Sequence, residues 1–197
     1  MTVLVVATSN SRKFKEIQAY LDDPRWELIP KPLGIEIEET GNTFMANAQL
    51  KASQVALSMG EWAIADDSGL VVDALNGLPG IYSARYAETD SARIERLLGE
   101  LENQTNRQAQ FVCTIALARP DGVIALKSEG FCSGEILHRP SGKGGFGYDP
   151  IFYIPEKLLT FAEMSPELKR VTSHRGKAFT ALLPQLNKLN VYNESRQ

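Results

Sequence analysis

The sequence predicts an α/β protein, a mixed β-sheet with flanking helices, and three observations carry that reading. A continuous β-branched run opens the chain, followed by a polar turn and an amphipathic helix. The strand-and-helix alternation then repeats. Beyond it lie two long strand-like stretches joined by an Asp-Gly turn. Early alternation followed by a long hairpin is the pattern of a mixed sheet. With 197 residues, 43% of them hydrophobic, the chain can build one substantial core or two small lobes sharing a sheet. No repeat, low-complexity segment or long linker divides it, so residues 1–197 read as one domain.

Taken in order, residues 2–7 (TVLVVA) form a buried strand, because the run is apolar without alternation. A helix follows with Phe14, Ile17 and Leu21 on its apolar face, then a short strand from Trp26 to Ile29. Thr40-Gly41-Asn42-Thr43 supplies capping residues for a second helix, which carries Phe44, Ala48, Ala52 and Val55 on one face and stops at Gly60. Trp62 to Ala65 is expected as a strand, interrupted by Asp66-Asp67-Ser68-Gly69 and resumed from Leu70 to Leu75. A third helix, about 91–101, presents Ile94, Leu97 and Leu98. Strands at about 108–118 and 123–136 flank the turn Arg119-Pro120-Asp121-Gly122. Residues 140–150 are glycine-rich, and a last helix at about 175–190 buries Phe179, Leu182, Leu183, Leu186 and Leu189 ahead of a polar, fraying tail.

Composition excludes several classes. The net charge of −3 argues against a nucleic-acid polymer as partner, while leaving a small anion open, since a pocket can oppose the global sign. Cys113 and Cys132 are isolated and form no CxxC pair, and with only two histidines in the chain, His138 and His174, the spacing of a structural zinc site is absent. Two buried free thiols in a reducing compartment is the plain reading. The apolar start is too short for a signal sequence, and no run approaches the roughly 18 residues of a membrane span. A cytoplasmic protein is expected.

Five clusters carry candidate chemistry. Thr8-Ser9-Asn10-Ser11-Arg12-Lys13 sits at a strand-to-helix junction, where free backbone N–H groups and the helix dipole suit phosphate; a simple capped helix start is the alternative. Glu36, Glu38, Glu39, Asp66 and Asp67 form an acidic group. Asp66-Asp67 follows an apolar strand, where carboxylates are costly unless paired or bound to a cation, and hard oxygen ligands suit Mg2+; a solvated turn is the other reading. Asn47 and Lys51 share a helix face at i,i+4, where a lysine more often snorkels. Gly142 to Pro150 holds four glycines in six residues with Phe146 and Tyr148, so its backbone can approach a ligand and its rings can stack on a base. It fits neither a P-loop nor a dinucleotide fingerprint. Finally, Lys169, His174 and Arg175 surround a helix start where Ser173 is a natural cap. Two basic groups at the positive end of a helix dipole point to something anionic or electron-rich nearby. Together these supply cations for phosphate, acids for a metal and an aromatic for a base.

The segments ATSNSRKFKEI (7–17), EETGNTFMANAQLKA (38–52), IADDSGLVVDALNGLPGIYSARYA (64–87), GKGGFGYDPIF (142–152) and SHRGKA (173–178) resemble, in order, the inosine/xanthosine triphosphate pyrophosphatase family, the Ham1-like enzymes. The resemblance implies an elongated two-lobed α/β fold with the active site in the cleft between the lobes, and a homodimer. It implies Mg2+-dependent hydrolysis of ITP, dITP or XTP to the monophosphate and pyrophosphate. Thr8, Asn10 and Lys13 match the family's phosphate loop, and Lys51 a phosphate-contacting lysine. Ser9 stands where many relatives have glycine, a change that leaves the loop's donors in place. Glu39 matches a metal ligand. Asp67 matches the general base and metal ligand, with Asp66 beside it and Ser68 near the substrate. Phe146, Gly147, Tyr148 and Asp149 match the base-binding loop, and Lys169, His174 and Arg175 the groups that read the base. Two other functions fit the same inventory: a pyrophosphatase for modified pyrimidine nucleotides, and a nucleotide-binding regulator without turnover. An RNA-binding role sits poorly with the acidic balance.

Overall fold

In a computed structural model that describes residues 1–189, one seven-stranded sheet runs in the order β2-β1-β3-β4-β5-β6-β7. The strands are β1 (Thr2–Val6), β2 (Trp26–Pro30), β3 (Trp62–Val72), β4 (Gln108–Ala118), β5 (Ile124–Ile136), β6 (Phe152–Ile154) and β7 (Leu159–Thr160). β1 runs parallel to both β2 and β3, whereas β6 is antiparallel to β5 and β7. The sheet is therefore mixed. Five helices accompany it: α1 (Ser11–Tyr20), α2 (Phe44–Met59), α3 (Asp90–Glu100), α4 (Pro166–Thr172) and α5 (His174–Lys188). The polar tail expected after the last helix lies outside the described residues from 190 onward.

The chain divides into two compact units. The first comprises Met1–Asp67, Thr114–Glu129 and the chain from Ala178. One of its cores is made of small side chains: Ala48, Ala52, Val55 and Ala56 of α2 lie against Val5, Ala63, Ala65, Ala116 and Ala118 of the strands. Small residues on both faces let helix and sheet approach closely. Trp26 and Trp62, the chain's two tryptophans, pack edge to face with centroids 5.6 Å apart.

The second unit comprises Ser68–Cys113 and Gly130–Lys177. Its core is larger in grain, with Phe111 in edge contact with Phe152 and stacked on Phe161 at 5.7 Å. α3 contributes Ile94 and Leu97 to that core, the i,i+3 spacing its sequence predicts.

Three expectations require correction. The resumed strand, expected to reach Leu75, stops at Val72, and Asp73–Leu75 form a short 3-10 turn instead. β3 is continuous through Asp66-Asp67-Ser68-Gly69, and no turn breaks it. The acidic pair is tolerated inside the strand because lysines meet both carboxylates, so the local composition of a turn is overridden by tertiary pairing. α4 was also absent from the sequence expectation. Its seven residues are too few to show a period, and only Ser165, which accepts from the Leu168 N–H, and Pro166 mark its start.

Candidate active site

β1 and β3 pair in parallel as far as Val6↔Ile64, and the Ala7 N–H donates to the Ile64 carbonyl. The parallel pairing of the two strands stops there. The segment Thr8–Lys13 follows β1, and Asp66-Asp67 follow Ile64 on β3. β1 ends there while β3 runs on, so the two segments meet at the carboxyl end of the parallel β1–β3 pairing, the end at which α/β sheets hold their ligands.

Around Thr8–Lys13 the backbone is organised locally. The Asn10 side-chain oxygen accepts from the N–H groups of Arg12 and Lys13 at 2.9 and 3.3 Å, capping α1, and the Thr8 hydroxyl accepts from the Asn10 N–H at 3.1 Å. Ser9, Ser11 and Arg12 are exposed. Asn10 is thus a helix cap, and the same turn presents an exposed helix start. Lys13 reaches into the protein, with Nζ 3.2 Å from Asp66 Oδ2, a carboxylate whose side chain is 1% exposed.

Lys51 of α2 is the centre of the acidic group. Its ammonium lies 2.7 Å from Glu39 Oε1 and 3.0 Å from Asp67 Oδ1, so the two carboxylates converge on one cation. Burial alone would lower the Lys51 pKa, but the facing charges of Asp67 and Asp66 and the hydrogen bond to Glu39 outweigh it and raise it. Burial pushes the Asp67 carboxyl above its ordinary value, against the pull of Lys51 and Lys13. Asn47, one turn before Lys51 and fully buried, donates to Asp67 Oδ2 at 3.3 Å. Glu36 and Glu38 point to solvent while Ile35 and Ile37 pack on the core, so only Glu39 of that run joins the cluster.

The residue types fit a divalent cation. Among the described residues no three His, Cys, Asp or Glu side chains form a self-sufficient cage. Two convergent carboxylates without a third ligand suit Mg2+, which takes one or two carboxylates and completes its shell with water and substrate phosphate. A preformed seat for an ammonium between two carboxylates is a seat of the right charge for a metal.

In the second unit the glycine-rich loop is held by its own acid. Asp149, 3% exposed, accepts from the Phe146 N–H at 2.8 Å and from Lys169 Nζ at 2.7 Å, both at Oδ2. Gly145 has φ +71°, and a Cβ there would fall 2.0 Å from that same oxygen, so this position requires glycine. Phe146 is half-buried, with the Lys169 ammonium 4.9 Å from its ring centre. Tyr148 differs from the stacking surface expected of it. It is buried, donates its hydroxyl to the Ser83 carbonyl at 3.0 Å and supports the loop from beneath, burial holding its pKa well above the ordinary range. His174 is also buried, stacked on Phe111 with centroids 4.6 Å apart. Arg175 donates to Ser68 Oγ at 3.0 Å, and Ser173 caps α5 by accepting from the Gly176 N–H.

One contributing residue was not singled out from the sequence, and another was singled out without its partner. Asp90, the first residue of α3, accepts from the Gly147 N–H at 3.0 Å while pairing with Arg93, so it anchors the loop from a distant segment. Nothing local signals that contact. Asn47 was visible as the i−4 neighbour of Lys51, but its bond to Asp67 was not.

The Ham1 family model matches residues 4–185. A dITP/XTP pyrophosphatase of Nostoc sp. is 68% identical over 184 residues, covering 93% of this chain and 94% of the relative. One of Synechocystis sp. is 57% identical, covering 94% and 95%. Among solved structures, a Ham1 protein from Coxiella burnetii superposes with a TM-score of 0.87 at 43% identity, covering 96% of this chain and all of that one. The Ham1 protein of Staphylococcus aureus gives 0.85 at 44%, covering 94% and 98%.

Proposed function

The chain belongs to the Ham1 family, and from that premise we propose that it clears non-standard purine nucleotides by Mg2+-dependent hydrolysis. It is a nucleoside triphosphate pyrophosphatase, converting ITP, dITP or XTP to the monophosphate and pyrophosphate. The observation that carries the reading is the pair of carboxylates, Glu39 and Asp67, meeting at Lys51 beside Lys13 and Asp66.

In this mechanism Glu39 and Asp67 would hold the metal, and Lys13, Lys51 and the start of α1 (Thr8 to Arg12) take the phosphates. Mg2+ held there would supply charge neutralisation for the triphosphate and make an adjacent water more acidic. Asp67 accepts a proton from the attacking water. Its carboxylate is oriented for that role by Asn47 at Oδ2 and Lys51 at Oδ1. Asp66, held by Lys13, is the second acid of the site. The water oxygen bonds to the α-phosphorus, and the bond from that phosphorus to the bridging oxygen breaks. Pyrophosphate leaves. Positioning and charge stabilisation supply most of the rate, since little covalent chemistry falls to the protein.

Base reading falls to the second group. Phe146 offers its ring, Gly147 a backbone approach, and Tyr148 and Asp149 hold the loop. Lys169, His174 and Arg175, with Ser68, supply polar contacts. Hypoxanthine and xanthine carry an acceptor oxygen at C6 that a donor satisfies, whereas adenine carries an amino group that leaves the same donor buried without a bond.

The whole chain acts as one pyrophosphatase domain, as a cytoplasmic homodimer. Among the described residues no helix is long and apolar enough to cross a membrane. Hydrolysis in 18O-water tests the chemistry: the label is expected in the nucleoside monophosphate and not in pyrophosphate. Release of orthophosphate and a diphosphate instead would overturn attack at the α-phosphorus. Tight binding of ITP without any release would favour the regulator.

A further inference from the structure

We infer that Asn47 is a positioning residue that sets the distance between the two metal-binding carboxylates, Glu39 and Asp67; this rests on the function proposed above. Asn47 is fully buried on α2, and both ends of its amide are engaged. Its Oδ1 accepts from the Gly41 N–H at 2.8 Å. A backbone N–H only donates, so the oxygen must face Gly41 and the NH2 must face Asp67. That NH2 donates to Asp67 Oδ2 at 3.3 Å. Asp67 therefore has both oxygens held from α2, Oδ2 by Asn47 and Oδ1 by Lys51 one turn later.

Gly41 follows Glu39 by two residues, so the other end of the amide fixes the loop that carries the second carboxylate. The approach is close. A Cβ on Gly41 would lie 2.6 Å from Asn47 Oδ1, and glycine alone leaves room for the bond. Lys51 also links Glu39 to Asp67, but through a flexible stem and a charge that a metal or a phosphate competes for. Asn47 is neutral and enclosed. It keeps the spacing whichever cation sits between the acids. Partners of this kind behind a metal ligand typically contribute about 10- to 100-fold in metal affinity or activity.

Two substitutions separate positioning from mere core packing. Asn47→Ala removes both bonds. Asn47→Asp keeps the acceptor for Gly41 and the side-chain shape, but sets a carboxylate oxygen against Asp67 in place of the donor. Binding of Mn2+ alone, followed by electron paramagnetic resonance, is compared with steady-state turnover of ITP at saturating Mg2+. Fluorescence of Trp26 and Trp62 checks folding. Asn47→Ala is expected to weaken Mn2+ binding by about tenfold or more. Asn47→Asp is expected to lose at least about tenfold in kcat, with KM for ITP held within about twofold. Unchanged Mn2+ affinity in Asn47→Ala, or wild-type kcat in Asn47→Asp, would overturn the proposal. Should Asn47→Ala not fold, the near-isosteric aspartate variant decides alone. Wild-type protein that binds Mn2+ but releases no pyrophosphate would sink the functional reading, and the Mn2+ comparison would still judge Asn47.

Discussion

Lys51 and Gly145 show how much single residues determine here. Lys51 neutralises two carboxylates at once, one of them in a buried strand. Removing one partner of a buried pair leaves an uncompensated charge, at a cost of about 3–5 kcal/mol. Lys51→Met is expected to lose roughly that in urea unfolding, and Mg2+ is expected to stabilise the variant more than it stabilises wild type. Equal Mg2+ effects on both proteins would argue against a shared cation seat. Gly145→Ala acts on the other group. The new methyl displaces Asp149 from both the Phe146 N–H and Lys169. KM for ITP is expected to rise by about tenfold, the worth of one charged hydrogen bond, while Mn2+ binding stays as in wild type. A titration of each variant with Mn2+ and with ITP checks both halves.

At the scale of elements, the ends of helices matter as much as their faces. Arg25, before β2, donates to the carbonyls of Leu186, Asn187 and Leu189 at 3.2–3.3 Å, satisfying the last turn of α5. Asp23 holds the guanidinium at 2.6 Å. Arg25→Ala is expected to cost about 1–3 kcal/mol, measured by thermal unfolding. The hydrogen bond from Arg25 leads in holding the Asp23 carboxyl below its ordinary value. A depressed folded pKa means stability present above the ordinary aspartate range and lost as pH falls through the folded value. Wild type should therefore lose stability more steeply than Arg25→Ala in that acid window, and parallel pH profiles would contradict the assignment. None of this was legible in the sequence, because Arg25 and Leu186 are far apart along the chain. What was legible were elements with a long period or a clear cap. β1, α2, α3, β4 and β5 lie within a residue or two of expectation. β3 was misjudged at Asp66-Asp67 because the two lysines that make a buried acidic pair tolerable come from α1 and α2.

Across the whole molecule, an acidic chain gathers cations where it needs them. The net charge is −3, yet Lys13 and Lys51 converge on Asp66, Asp67 and Glu39, and Lys169 lies beside Phe146 and Asp149. The motifs named the segments that supply Lys51, Glu39 and Asp67 to one cluster and Asp149, which Lys169 meets, to another, and the mixed sheet was readable from the strand–helix alternation and the long hairpin. Which side chains support and which are presented was not, as Tyr148, Asn47 and Asp90 illustrate, because burial and long-range bonds decide it. The activity at stake is metal-dependent removal, through Asp67, of purine triphosphates that carry a 6-oxygen and lack the 2-amino group of guanine. The most direct test is pyrophosphate release from ITP, XTP, dITP, ATP, GTP and a modified pyrimidine triphosphate. It is run with Mg2+ or with chelator, for wild type and Asp67→Asn. Strong turnover of the first three, lost with chelator and with Asp67→Asn, is the expected result. Equal turnover of ATP and GTP, preference for the pyrimidine, or full activity in Asp67→Asn would contradict it.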